Sequence, residues 1–171
     1  MSTPDEQQAL GRQPPVDYIE RTRAVYSSKG YSAYQWVRNE PMPLAATDRP
    51  MSEWRVGLVA SGGIYALSQV AFHFRDDVSY REIHRDTPTE DLRITHFAYD
   101  YADARQDPNV VFPLAALRGL ANEGAIGSVS ERAYTFMGGI YSARKVRDTL
   151  APALADRLAA DEVDVALMVP V

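Results

Sequence analysis

The feature that most constrains this chain is its last run, Val163-Asp-Val-Ala-Leu-Met-Val-Pro-Val171. Apart from Asp164 and Pro170 it is apolar, and it is too short for an ordinary buried helix. Both of its alternating sets of side chains are largely apolar, which predicts a strand covered on both faces over 163–170. Strands of that kind belong to parallel sheets in layered α/β domains. In such sheets ligands bind outside the carboxyl ends of the strands. The sequence thus stops about where such a fold begins its chemistry. Either it is a non-catalytic domain, or the reacting residue follows Val171.

The remaining elements agree with that class. Residues 1–15 are polar and end in Pro14-Pro15, as a flexible arm would. Residues 16–171 are expected to form a single α/β domain. Asp17 followed by Glu20 has the spacing of a helix cap, and a helix over 17–29 would stop at Gly30. Tyr31, Tyr34, Trp36 and Val37 follow, either lining a pocket or pinning a proline-rich loop over 38–52. Arg55–Ala60 reads as a central strand. Ile64–Phe74 fits a helix or an extended segment equally. Tyr80–Ile83, Leu92–Phe97, Ile126–Val129 and Tyr134–Met137 read as further short strands. Pro113 opens a helix that Gly124 closes, and Ser142 caps another. In the last helix Val146, Leu150, Leu154 and Leu158 share one face, and Pro152 should kink or split it. The prediction is a mostly parallel, layered sheet with flanking helices and a terminal strand.

Candidate chemistry clusters at two places. Ser61, Gly62 and Gly63 follow the first strand directly. Glycines there let the backbone turn tightly, and free amides would hold an anionic group, although a plain turn explains the same residues. The second place is the polar stretch from His96 through Asp100, Asp103 and Asp107 to Asn109. His96 and Asp100 are the candidate catalytic pair, since histidine titrates near neutrality. The blander alternative is a structural histidine beside an acidic loop of Asx-turns, with a helix cap at Asn109. Arg81 is a candidate for holding a substrate carboxylate, and Asn109 for orienting substrate. No spacing matches a strong metal motif. The G-x-S-x-G elbow of a serine hydrolase is absent around Ser61.

Composition narrows the function. A net charge of -5 argues against a general nucleic-acid binder. No apolar run approaches the roughly 18 residues of a membrane span, and the polar, acidic first residues are not a signal peptide. A cytoplasmic protein acting on a small molecule is expected. The chain contains no cysteine, so it carries neither a disulfide nor a thiol nucleophile.

Taken together, Arg55–Gly63, Asp86–Arg93, His96–Asp100, Asp107–Pro113, Phe136–Gly139 and Val163–Val171 resemble the selenoprotein B family of glycine, sarcosine, betaine and D-proline reductases. The match is to its short, stand-alone branch and covers about residues 16–171. The resemblance implies a reductase that cleaves a small amine or amino-acid-like substrate with a dithiol/disulfide couple. It also implies a selenocysteine or cysteine nucleophile just past the strand matching Val163–Val171, with a further cysteine soon after it. This chain lacks both, so the expectation is the inactive amino-terminal part of a selenoprotein, cut at the selenocysteine codon. A thiol reductant protein or companion reductase subunit is the implied partner. The alternative is a non-catalytic ligand-binding or complex-forming subunit.

Overall fold

The computed structural model describes residues 17–33, 37–43 and 45–171. The chain divides into two compact units, residues 1–42 and 43–171. In the first, helix α1 spans Tyr18–Ser28. The Asp17 carboxylate accepts from the Ile19 and Glu20 amides at 3.1 Å, satisfying two donors that a helix start leaves open. None of its residues is buried. Of the expected aromatic cluster, Tyr31 packs on Tyr26 with ring centroids 5.8 Å apart. Tyr34, Trp36 and the 1–15 arm lie outside the described residues.

The second unit is built on strand β1, Arg55–Ala60, buried at every position after Arg55. One edge of β1 pairs in parallel with β7, Val165–Val169, from Val56↔Val165 to Ala60↔Val169. Its other edge is shared. The first half pairs with β5, Ser128–Val129, and the second half with β6, Arg132–Phe136, both parallel. β3, Tyr80–His84, runs antiparallel on the far side of β6. The sheet is therefore mixed and mostly parallel, as the apolar runs predicted. β2, Ile64–Ala66, makes the start of the ambiguous stretch extended, and a turn at Leu67–Ser68 follows it. β2 pairs antiparallel with β4, Leu92–Ile94, in a small separate sheet.

β7 departs from expectation. It pairs only with β1 among the described residues, so it is an edge strand. Leu167 is 38% and Met168 60% exposed. An apolar alternation on both faces does not distinguish a central strand from an edge strand.

Helices flank the sheet. α2 spans Ala102–Gln106 and α3 spans Leu114–Asn122, which buries Leu114 and Leu117. Pro113 stands at the cap of α3 rather than within it. Ser142 caps α4, Ala143–Lys145, by accepting from the Lys145 amide. A π-turn over Val146–Leu150 leads into α5, Ala151–Ala160. Pro152 lies in the first turn of α5, where its missing N–H costs least, and the backbone stays helical from Ala143 through the π-turn to Ala160. The predicted stripe holds: Leu150 and Leu154 are buried against Val59 and Tyr134, with Leu158 beside them. On the other face Leu58, Ile64, Ile83, Phe112 and Leu114 form the larger core. No helix among the described residues is long and apolar enough to cross a membrane.

Candidate active site

The carboxyl end of β1 is a tightly bonded cradle. The Ser61 amide donates to the Val169 carbonyl at 3.0 Å, and the Val171 amide donates to Ser61 Oγ at 2.9 Å. The Gly138 amide donates to the Ser61 carbonyl at 2.9 Å, and the Gly63 amide to the Phe136 carbonyl at 3.0 Å. Gly63 has φ +71°, and a Cβ there would lie 2.1 Å from the Thr95 carbonyl oxygen. Only glycine fits that position. The Ser61 and Gly63 amides are thus committed to strand partners, and the expectation of an open anion-binding nest fails at both. What the glycines provide is close approach, placing β7, β6 and the segment after β4 around one turn.

His96 sits against this turn, with its Cβ 3.5 Å from where a Gly63 Cβ would stand. It is 6% exposed. Its Nδ1 accepts from the Ala98 amide at 3.1 Å, which assigns the proton of the neutral ring to Nε2. Nε2 is buried and has no partner among the described residues. Burial lowers the His96 pKa, and a backbone contact with Ser61 acts in the opposite sense. At neutral pH the ring is an uncharged donor that faces the Ser61 backbone without a hydrogen bond of ordinary geometry. A buried donor left so costs about 1–3 kcal/mol, and such groups collect where a ligand supplies the missing partner.

Aromatic rings surround it. Tyr99 lies 4.6 Å from the His96 ring and donates its hydroxyl to the Gly62 carbonyl at 2.9 Å. Burial, and then the neighbouring Tyr101, raise the Tyr99 pKa. Phe97 stacks on His96 at 6.0 Å and 19°, and Tyr141 stacks on Phe97 at 6.4 Å and 26°. Gly139 makes room for Phe97, since a Cβ there would lie 2.2 Å from the ring.

The sequence of this site and its frame decides the family. It matches glycine/sarcosine/betaine reductase selenoprotein B over residues 31–170. The chain belongs to that family. It is 29% identical over 141 residues to the D-proline reductase subunit gamma of Acetoanaerobium sticklandii, covering 82% of this chain and 58% of that protein. It is 29% identical over 106 residues to the betaine reductase complex component B subunit beta of Peptoclostridium acidaminophilum, covering 59% of this chain and 24% of that protein. The chain therefore spans less than two thirds of the curated relatives it matches. No solved structure matches it.

In this selenoprotein B family member, Ser61, Gly62, Gly63 and His96 come together. The other candidates have their polar atoms engaged locally. Asp100 is exposed and accepts from the Ala102 amide at 3.0 Å, opening α2. Asn109 accepts from the Ala115 amide at 3.0 Å and donates to Asp107, capping α3. Arg81 spends its guanidinium on the Val70 and Tyr80 carbonyls and on Ser79, and lies over the Phe72 ring. Phe97, Tyr99, Tyr141 and Gly139 escaped the sequence reading. The Phe136–Gly139 motif was visible, but not the ring that needs its glycine.

A second polar centre lies at the opposite, amino-terminal end of the sheet. Asp161, at the end of α5, is buried and accepts from Arg132 at 2.5 Å and from the Tyr134 hydroxyl at 2.5 Å. A cavity of about 500 Å³ opens beside it, lined by Arg55, His84, Arg85, Glu131 and Arg132 among others. It faces away from the strand ends where open α/β sheets bind ligands. Its charged groups largely pair with one another, as Arg132 does with Asp161 and His84 with Asp86 and Glu131.

Proposed function

We propose that this chain forms the substrate-binding part of a selenoprotein B-type reductase that cleaves the carbon–nitrogen bond of a small amine or amino-acid-like substrate. Family membership supports the reaction class. The single observation that carries the site is the buried, unpartnered Nε2 of His96 beside the Ser61–Gly63 turn. As a neutral donor, His96 would bind a substrate carboxylate or the group that takes up charge as the bond breaks. Ser61, Gly62 and Gly63 would form the floor, and Tyr99 would hold that floor in place through Gly62. Asp100, Arg81 and Asn109 would act by holding the surrounding loops.

Reductive cleavage replaces the carbon–nitrogen bond by carbon–hydrogen and nitrogen–hydrogen bonds, which takes two electrons and two protons. A dithiol passing to a disulfide supplies both. The chain holds no cysteine, so the selenocysteine or cysteine nucleophile and the dithiol would come from polypeptide outside these 171 residues. Selenolate suits the role because it is ionised at neutral pH, as a strongly depressed thiol is. The relatives' names describe subunits of reductases, and a companion subunit is the natural partner.

The test is amine release from glycine, sarcosine and betaine, and ring opening of D-proline to 5-aminopentanoate, with dithiothreitol. The chain assembled with its companion subunits would be compared with the 171-residue chain alone, with and without His96→Gln. The assembly should turn substrate over and His96→Gln should lose most of that activity, while the 171-residue chain alone should be inert. Turnover by the 171-residue chain alone, or none by the assembly, would overturn the reading.

A further inference from the structure

We propose that the cavity at the amino-terminal end of the sheet is an anion site that takes a phosphate group, borne by the free ion or by a small phosphate ester. The inference stands on the geometry of that cavity and is independent of the reductase reading. One length of β1, roughly 20 Å, separates the cavity from the Ser61–Gly63 cradle, so the two sites are distinct.

β1 and β5 start side by side, with Arg55 in register with Ser128. Arg55 and Arg85 both line the cavity there. Each guanidinium is anchored through Nη1 alone. Arg55 Nη1 donates to the Asp161 carbonyl and to Glu162 Oε2, both at 3.0 Å. Arg85 Nη1 donates to the Val129 carbonyl at 3.2 Å. The Nε–Nη2 edge of both arginines makes no hydrogen bond among the described residues. That edge carries two parallel N–H donors, the fork that grips a carboxylate or phosphate bidentately. Arg132, the third lining arginine, has a buried Nε without a hydrogen-bond partner, and Glu82 stands off from it at 4.0 Å.

The charges do not cancel inside the cavity. The Asp161 carboxylate is already engaged, one oxygen by Arg132 and the other by the Tyr134 hydroxyl. The remaining acids stand further out. Asp86, Glu131 and Glu162 have side chains 69%, 63% and 81% exposed, against 43%, 45% and 38% for Arg55, Arg85 and Arg132. Two of the outer pairs are also long, Arg85 to Asp86 at 4.0 Å and His84 to Glu131 at 3.9 Å. Water screens such pairs heavily, so the arginines set the sign of the interior.

The number of donors selects the anion. A single carboxylate presents two oxygens, which one guanidinium fork occupies. A phosphate group presents three acceptor oxygens and carries close to two negative charges at neutral pH. It has an acceptor for both forks, and Ser128 adds a hydroxyl donor to the same lining.

Calorimetric titration of the chain at fixed ionic strength would use inorganic phosphate, glycerol 3-phosphate and acetate. Both phosphates should bind saturably, and acetate about tenfold more weakly. Whichever phosphate binds more tightly assigns the source, the free ion or an ester. Arg85→Gln should weaken phosphate by about tenfold. Arg85→Lys, which keeps the charge but not the fork, should weaken it by about threefold. Arg55→Gln gives a second removal of a fork. Arg144→Gln lies outside the lining and should leave binding unchanged. Circular dichroism would confirm that each variant is folded; should Arg85→Gln fail to fold, Arg85→Lys and Arg55→Gln decide the matter. No saturable phosphate binding, acetate bound as tightly as phosphate, no weakening by the folded Arg55 and Arg85 variants, or an equal weakening by Arg144→Gln would each overturn the inference.

Discussion

The Tyr134 hydroxyl donates to the carboxylate of Asp161 across 2.5 Å, joining the middle of β6 to the end of α5 inside the protein. Both groups are buried, and Arg132 completes the set from the same strand. Tyr134→Phe removes one hydrogen bond to a charged group while keeping the ring in the core, and should cost about 1.5–3 kcal/mol. Asp161→Ala leaves the hydroxyl without its acceptor and should cost more. Urea unfolding followed by circular dichroism measures both, and the reverse order would refute the account.

The same carboxylate sets an acid limit. Burial alone would raise the Asp161 pKa, but the hydrogen bonds from Arg132 and Tyr134 outweigh it and hold the group below its ordinary 3.8. Its contribution to stability is therefore complete above pH 3.8 and is lost as pH falls through the lower folded value. In the same network the Tyr134 phenol is pushed up to about 12, chiefly by burial and then by Asp161. An Asp161→Asn variant should be less stable at neutral pH and should lose less on acidification. Melting temperatures from pH 2 to 7 would show converging curves; parallel curves would count against the assignment.

His96 should titrate below 6.5, because burial disfavours its charged form. The folded pKa lies below the unfolded one. Stability from the neutral ring is thus present above pH 6.5 and declines as pH falls through the folded value. Proton NMR of the imidazole resonances gives the midpoint directly. His96→Gln should remove that resonance and so assign it.

Gly63→Ala should be among the most damaging single-methyl changes in the chain. The new Cβ would meet the Thr95 carbonyl at 2.1 Å in a left-handed backbone, and a loss of about 2–4 kcal/mol is expected. Thermal unfolding would read it, with Gly119→Ala as the control, since a Cβ there meets nothing within 4 Å. The control lies inside α3 and should be neutral or slightly stabilising.

The outer edge of β7 should make the 171-residue chain associate. Unpaired strand edges that carry exposed apolar side chains invite pairing. Met168→Lys should shift sedimentation toward monomer with little change in stability, because Met168 is 60% exposed. A chain that is monomeric at all concentrations before the substitution would contradict this.

Much of this arrangement is local and so was open to sequence reasoning. The Asp17 cap, the Ser142 cap, the leucine stripe of α5 and the glycine turn after Ala60 each depend on residues a few positions apart. The failures are non-local. Asp161, Tyr134 and Arg132 meet only because β6 lies beside the end of α5, and no spacing announces that. Asn109 displayed the right chemistry for a substrate contact, but its amide is satisfied six residues away at Ala115. β7 could be recognised as a strand but not as an edge, since composition reports what a side chain avoids and not what finally covers it. The ring row from His96 to Tyr141 joins segments more than forty residues apart and emerges only once β6 is placed.

The sharing of one edge of β1 by β5 and β6 has a consequence for how the protein is made. Residues 55–60 leave the ribosome early, but their first strand partner begins at Ser128 and the last ends at Val169. The nascent chain must carry this largely apolar strand unpaired until residues 61–127 have been made. Pairings this distant in sequence form slowly. Translation speed and chaperone supply, more than intrinsic stability, should then govern how much soluble protein a cell recovers.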